Sequence, residues 1–526
     1  MSGRVNRKWA LALVLGGLIP AAAQAQNSAA GAGMQQTTGA AIGGEASPGA
    51  AAELAPDSPD QLAAKFQDWL GGFRLRAIAA GIAETTLDRA LADVAYDPTI
   101  IERDRNQSEH TRQIWDYLDR AVSADRIQNG RAALTKHSAV FDRIAQAYAI
   151  EPEVVAAIWG LETAYGTFRG SLPVLSSLAT LAFDARRSSY FEKELIEALK
   201  IVQAGHVDLA EFNGSWAGAS GHTQFMPSSF WRSAVDFTGD GRRNLWGEDP
   251  SDALASAAAY LVKSGWQKGL PWGVEVTLPK TFPWEQSGER IRKPLSEWRA
   301  LGVTSMDGGV AAAQVPEDTP ASVLLPAGHE GAAFLIFKNF QVIETYNTAD
   351  AYVIAIGTLS DQLAGRAPIT GAWPRGDKAL SGAEKKELQA LLLARGHDPK
   401  GVDGIMGPNT IQAIRDYQRQ AGLVPDGYAS HRLIERLRSE AAALAGPGET
   451  AAPIADPATP ASASPDAAAL ERSAPAPSTG VPPASEAAVV PAAPKARPQV
   501  RPSGAPAPAA DLAPRAKRPP GQNTGG

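Results

Sequence analysis

The distribution of proline sets the first limit on what this chain can fold into: 18 of its 39 prolines lie between Pro447 and Pro520. Each proline removes a backbone donor and fixes φ, so a segment this dense in them cannot sustain helix or sheet. Residues 441–526 are also dominated by Ala, Pro and Ser and carry no aromatic residue. Such a segment buries too little apolar surface to offset its ordering entropy, and a disordered tail is predicted there. Lys495, Arg497, Arg501, Arg515, Lys517 and Arg518 make its last part basic. A solvated spacer is the default reading of that charge, with contact to an acidic partner as the interaction it would permit.

The other end is equally unsuited to a core. Arg4, Arg7 and Lys8 precede an apolar run from Trp9 to Ile19, then Pro20 and the small-residue sequence Ala23-Gln24-Ala25. This pattern predicts a secretory signal peptide over 1–25. The run is too short to cross about 30 Å of hydrocarbon as a helix. Residues 26–57, rich in Ala, Gly, Gln and Ser, read as a flexible lead. The chain has no cysteine, which excludes disulfides, thiolate catalysis, Cys-ligated metals and a lipid attached through an N-terminal Cys. A soluble periplasmic product without a membrane anchor is therefore expected. The formal charge of −6 offers no overall attraction to nucleic acid.

Hydrophobic periodicity fills the middle. Leu62, Phe66, Trp69 and Leu70 recur at helical spacing after Ser58-Pro59-Asp60, and amphipathic stretches continue through Ile114, Leu118, Ile127, Leu134, Phe141, Ile144 and Tyr148. The period then shortens at 322–325, 333–337 and 340–343, which predicts short strands, and helix resumes over 349–363. A mainly α, α+β domain over 58–365 with a small inserted sheet is the expectation. A linker signal follows over 366–378. Residues 379–440 predict three short helices: Ser381 and Glu384 form a capping box, Gly407-Pro408 opens a second helix, and Ser430 a third.

Within the segment Ile150 to Gly166, residues Val154 to Leu161 leave no polar face of ordinary width before Glu162, with Pro152 suited to the first helical turn, Glu153 to its positive end and Gly166 to the residue beyond the last. A carboxylate on a buried helix needs a raised pKa or a dedicated partner. A raised pKa suits general-acid work. A structural Glu bonded to an Arg or a backbone amide fits the spacing equally well. A second segment, Phe212 to Pro227, gathers Gly214, Gly218 and Gly221 with Trp216, which offers a face for sugar stacking, and Gln224, which offers an amide. Ser220 and His222 lack the Gly-x-Ser-x-Gly frame of a hydrolase pair. Asp236, Thr238 and Asp240 stand at positions one, three and five of an EF-hand-like loop with Gly241 at six and Arg242 next, but Gly247 occupies position twelve, where a bidentate acid is expected, so Glu248, Asp249 or Asp252 would have to close the shell.

Gly160-Leu161-Glu162-Thr163-x-Tyr165-Gly166, followed by Gly214-Ser215-Trp216-Ala217-Gly218-Ala219-x-Gly221-x-Thr223-Gln224-Phe225-Met226-Pro227, resembles the B-type lytic murein transglycosylases. The resemblance runs from about residue 60 to 365 and takes in Lys338-Asn339-Phe340 and Tyr346-Asn347. It implies a lysozyme-like catalytic domain in which Glu162 is the sole acid/base, needing no cofactor for its chemistry. It further implies that Ser215 and Gln224 contact a peptidoglycan glycan strand and that Tyr117, Tyr260, Tyr346 and Asn347 line the cleft. Relatives with a calcium loop imply Asp236, Thr238, Asp240, Arg242 and Asp252 as a structural Ca2+ site, Asp252 closing the shell. Residues 387–427, with Asp403-Gly404 and Asp426-Gly427, resemble the three-helix peptidoglycan-binding domain found on wall hydrolases. A hydrolytic muramidase and a non-catalytic wall-binding scaffold remain as alternatives, and for such an enzyme the basic tail would permit contact with cell-wall assembly proteins.

Overall fold

The computed structural model describes residues 58–106, 112–184, 187–306 and 314–445. The predicted signal peptide, the lead up to residue 57 and the tail beyond 445 lie outside the described residues. Order begins where the cap chemistry places it: the Ser58 hydroxyl accepts from the Gln61 amide, the Gln61 side chain answers, and a helix runs over Pro59–Ala79.

The centre of the helical domain is the helix Pro152–Thr163. It is buried all round, as its sequence demands. The helices Ala124–Lys136, Ser251–Lys263 and Asp350–Leu363 pack against it. Val174–Phe183 and Ser188–Gln203 form a second, closely packed pair. Phe66, Phe73, Phe141, Ile158, Phe191 and Ile354 belong to one continuous core, whose apolar burial is the main stabilising term.

The insert is a five-stranded antiparallel sheet in the order Lys293–Pro294, Pro320–Leu324, Ala333–Ile336, Gly273–Thr277, Thr304–Ser305. Val323 faces Leu335, which faces Val274. Side chains alternate across this sheet. Val274, Val276, Val323, Ala333 and Leu335 enter a core formed with Phe282 and Trp298, while Leu324, Phe334 and Ile336 join the core of the helical domain. Burial on both faces explains why the sequence shows unbroken apolar runs here. The strand predicted over 340–343 is instead part of the helix Lys338–Glu344. Phe340, Val342 and Ile343 are all buried, and a four-residue apolar run does not by itself distinguish strand from buried helix. The strand Gly273–Thr277, absent from the sequence expectation, lies inside the sheet between the central strand Ala333–Ile336 and the edge strand Thr304–Ser305.

The three C-terminal helices are Gly382–Ala394, Pro408–Gln420 and His431–Ala445, closing on Leu388, Leu392, Ile414, Tyr417, Ile434 and Leu437. The Ser381–Glu384 capping box forms as read. The last helix continues to Ala445, past the start of the predicted disordered tail, because Glu440-Ala-Ala-Ala-Leu-Ala favours helix strongly. This unit is docked on the insert. Arg415 donates to the Ser287 carbonyl at 2.9 Å, and Asp426 accepts from the His329 amide at 2.9 Å. The connecting segment is pinned too: Arg375 pairs with Asp119 at 2.7 Å, and the Thr370 amide donates to Glu275 at 2.9 Å.

Candidate active site

Glu162 occupies the last turn of the buried helix and is 7% exposed. The Tyr352 hydroxyl donates to its Oε1 at 2.6 Å, while Oε2 has no hydrogen-bond partner among the described residues. Burial raises the Glu162 pKa from 4.5 to about 8, and the Tyr352 bond, which favours the carboxylate, pulls the other way. Among the described residues, no second acid contributes to that shift. Glu162 is thus protonated near neutral pH and held by one oxygen only. The structural alternative of an Arg or backbone-amide partner is not what the fold provides.

The turn after Glu162 is unusual. Ala164, Tyr165 and Gly166 have φ of 48°, 60° and 83°, three successive left-handed residues of which two carry a Cβ. Each non-glycine residue in this region costs about 1–2 kcal/mol, so the surroundings must hold it. The Tyr165 amide donates to the Trp159 carbonyl at 3.2 Å, the Gly166 amide to Thr163 Oγ1 at 3.0 Å, and the Tyr165 hydroxyl to the Arg126 carbonyl at 2.9 Å. The Tyr165 ring lies directly against Gly130 and Gly160. A Cβ at Gly160 would stand 2.6 Å from the ring, so the motif's glycine is there for close approach.

Tyr117 and Tyr346 are buried close enough for the Glu162 charge to raise their own pKa values, after burial as the larger cause. The Tyr346 hydroxyl donates to the Thr223 carbonyl at 2.6 Å, and Tyr260 packs edge-to-face against Tyr346 with ring centroids 5.0 Å apart. Tyr117, Tyr346 and Tyr352 therefore surround the acid, with Tyr260 supporting from behind. Asn347 is buried and its Oδ1 accepts from the Ala349 amide at 3.0 Å, which fixes the entry to the helix carrying Tyr352. Tyr352 itself was not singled out in the sequence. The available signal was a phenol within the wholly buried run Tyr352-Val-Ile-Ala-Ile, where a hydroxyl needs a partner.

The second motif folds into a tight loop beside the acid's helix. Ser215 Oγ accepts from the Ala219 amide at 3.1 Å, which leaves its O–H to donate. Gln224, at φ 50°, spends its amide nitrogen on the carbonyls of Gly221 at 2.9 Å and Arg169 at 3.0 Å, so only its Oε1 is left for a ligand. Trp216 is 3% exposed, which corrects the expectation of a sugar-stacking face; its ring completes the core instead. His222 is a strut: Nδ1 accepts from the Trp159 indole at 3.2 Å, Nε2 faces the Gly247 carbonyl at 2.8 Å, and its own carbonyl accepts from Thr163 Oγ1 at 2.7 Å. Burial lowers its pKa to about 4 and keeps it neutral.

In the acidic loop, carboxylate oxygens of Asp236, Asp240 and Asp252 lie within 4.8 Å of one another. Asp252, two residues into its helix and buried, accepts from the amides of Phe237 at 2.8 Å, Thr238 at 3.0 Å and Asn244 at 2.8 Å, so the acid outside the twelve-residue loop closes it. Thr238 Oγ1 donates to Asp236, and the Arg242 side chain turns away to Asp208 at 3.6 Å. An all-oxygen set of three carboxylates fits a hard divalent cation such as calcium.

With this geometry in view, the similarities are specific. A family model described as a transglycosylase SLT domain matches residues 65–361, and one described as a peptidoglycan binding domain matches residues 381–437. The chain is 34% identical over 250 residues to the membrane-bound lytic murein transglycosylase B of Escherichia coli (strain K12), a match covering 47% of this chain and 66% of that protein, just under two thirds of its length. SltB3 from Pseudomonas aeruginosa, solved in complex with NAG-NAM-pentapeptide, is 46% identical with a TM-score of 0.68, over 71% of this chain and 99% of the other. The soluble lytic transglycosylase SltB1 from Pseudomonas aeruginosa is 31% identical with a TM-score of 0.51, over 56% and 98%.

Proposed function

This chain belongs to the B-type lytic murein transglycosylases and carries a C-terminal peptidoglycan-binding domain, and from that premise we propose that it cleaves the MurNAc-GlcNAc β-1,4 bond of peptidoglycan without water. The observation that carries the reading is Glu162, a buried carboxyl that is still protonated near neutral pH, fixed through Oε1 by Tyr352 and open at Oε2. Protonated Glu162 gives its proton to the glycosidic oxygen as the C1–O bond breaks and positive charge develops at the MurNAc anomeric carbon. The same sugar's 6-hydroxyl then attacks C1 and passes its proton to the Glu162 carboxylate. A 1,6-anhydro ring forms, and the acid is restored with no water consumed.

Tyr352 strengthens its bond as Glu162 becomes anionic, which stabilises charge where it develops. Two-carboxylate glycosidases use a second acid as nucleophile or as base for water. The single-acid reading is supported by the lack of a second acid in the Glu162 shift. Ser215 through its O–H, Gln224 through Oε1 and Asn347 are the polar groups proposed to orient the glycan. The Asp236–Asp240–Asp252 loop is proposed to hold calcium, with Thr238 and Arg242 completing the oxygen set. The ion would brace the loop and takes no part in bond cleavage. The periplasm is the proposed location, and the C-terminal domain is proposed to raise the enzyme's effective concentration on its insoluble substrate.

Mass spectrometry of digested sacculi tests this directly. Glu162→Gln should abolish release of anhydro-muropeptides while leaving folding and sacculus binding intact. Wild-type products heavier by one water would identify a muramidase, and substantial turnover by the variant would remove Glu162 from the chemistry.

A further inference from the structure

Tyr117 stands beside the acid on a helix that has little means of holding itself in place. The helix Ile114–Ala121 is eight residues long, and isolated helices shorter than about 12–15 residues are marginal in water. Its N-cap residue, Gln113, makes no side-chain capping bond, so the first amides gain nothing from that position. Ile114, Trp115, Tyr117, Leu118 and Ala121 are buried, and the helix packs inward against Asp350–Leu363, which carries Tyr352.

On its outer side the supports come from the linker and the C-terminal domain. At the start of the helix, the hydroxyl of Tyr428, in the loop before the last helix of the C-terminal domain, donates to Gln113 Oε1 at 3.3 Å. In the first turn, Trp373 of the linker is half-buried against Trp115 with ring centroids 6.3 Å apart, and it meets Phe334 of the sheet at 6.5 Å. In the last turn, the Asp119 carboxylate accepts from both terminal nitrogens of Arg375, at 2.7 and 3.0 Å, a bidentate pair that fixes direction as well as distance. The linker is itself anchored at both ends. Glu275 of the sheet accepts from the amides of Thr370 at 2.9 Å and Gly371 at 2.5 Å, and Asp377 accepts from the His431 amide at 3.0 Å.

A domain that only concentrates an enzyme on a polymer needs a flexible join and no contact with the active-site helices. Here the join is ordered, and three of its contacts grip the helix that presents Tyr117. We propose that Trp373, Arg375 and Tyr428 are positioning residues for the reaction: they hold the helix Ile114–Ala121 so that the Tyr117 hydroxyl keeps its place beside Glu162. The inference rests on the reading of Glu162 as the acid of a peptidoglycan-cleaving enzyme, and adds to it a part in turnover for the linker and the C-terminal domain, separate from capture of the polymer. Misplacing a group at the reacting atoms by about 1 Å can cost on the order of a hundredfold in rate, so contacts on the outer side of this helix reach the chemistry.

The test is steady-state kinetics of full-chain variants on a soluble glycan of two GlcNAc-MurNAc-pentapeptide repeats, where retention on an insoluble polymer plays no part. Trp373→Ala should lower kcat about tenfold and Tyr428→Phe about threefold, each with KM changed by less than about twofold. Arg375→Asp should lower kcat, and adding Asp119→Arg, which rebuilds the ion pair in reverse, should recover it. Because the effect runs through Tyr117, Trp373→Ala or Arg375→Asp made on Tyr117→Phe should cost less than about twofold more. Tyr428→Phe and Arg375→Asp leave the core intact and carry the test if Trp373→Ala does not fold. An unchanged kcat on the soluble glycan, losses confined to KM, no recovery in the reversed pair, or losses that multiply in full with that of Tyr117→Phe would overturn the proposal. Wild type that releases no anhydro product from this glycan would remove the transglycosylase reading; wild-type turnover matched by every variant would remove the positioning role alone.

Discussion

Replacing Glu162 by Gln should stabilise the protein, and increasingly so as pH rises. In the folded state the Glu162 carboxyl titrates at about 8, against 4.5 for the ordinary group. A carboxyl whose folded pKa is raised favours folding fully only below its ordinary pKa, and that contribution is lost as pH climbs toward the folded value. At about 1.4 kcal/mol per pH unit, less where either state is half titrated, wild type gives up roughly 3 kcal/mol between pH 4.5 and 7 and about 4 kcal/mol by pH 8. Gln has nearly the same shape, accepts the Tyr352 hydrogen bond through its amide oxygen and has no proton to lose. Urea unfolding of wild type and Glu162→Gln, followed by tryptophan fluorescence at pH 4.5, 6 and 8, measures the difference. It should be close to zero at pH 4.5 and reach several kcal/mol at pH 8. A difference that does not vary with pH, or a less stable variant at pH 8, would refute the raised pKa and with it the argument that Glu162 enters the reaction protonated.

Tyr352→Phe removes the donor that favours ionised Glu162, so the basic limb of the pH–rate profile should move to higher pH while the plateau rate falls roughly tenfold to hundredfold, from the loss of about 1.5–3 kcal/mol; an unmoved limb would show that the bond does not act on the acid. Gly160→Ala places a Cβ against the Tyr165 ring and should cost about 1–3 kcal/mol in thermal or urea unfolding, with partial recovery on adding Tyr165→Ala to relieve the clash. Calcium added after chelation should raise the melting temperature of wild type but not of Asp252→Asn, whose loop amides also lose a charged acceptor; equal responses would remove Asp252 from the site.

Much of the acid's setting was legible along the chain because it is local. A helix apolar on all faces from Val154 to Leu161 has to be buried, and a carboxyl on it has to be neutral or partnered. The partner was not legible: Tyr352 lies 190 residues away, and only packing of the helix Asp350–Leu363 against Pro152–Thr163 brings its hydroxyl to Glu162. The place of Trp216 is hidden from the sequence for the same reason. An indole can face a sugar or a core, and which one it meets depends on what packs over it. The helical run 340–343 resembles a strand in sequence because three of its four residues are buried, which erases the periodicity that separates the two.

The sequence by itself determined where order begins and which segments can form a core, through Ser58, the Ser381 capping box and the apolar periods between them. It also determined that Glu162, set behind the apolar run of the central helix, would be chemically unusual, since burial cost depends on the group and its apolar neighbours. Tertiary structure alone decided which oxygen of Glu162 is held and which is open. It alone decided that the insert's sheet is buried on both faces, and that the C-terminal domain docks on the insert. Those outcomes depend on contacts between segments distant in the chain, 190 residues apart for Tyr352 and Glu162 and 128 for Arg415 and Ser287, and their geometry is set by packing and by hydrogen bonds that have no trace in local spacing.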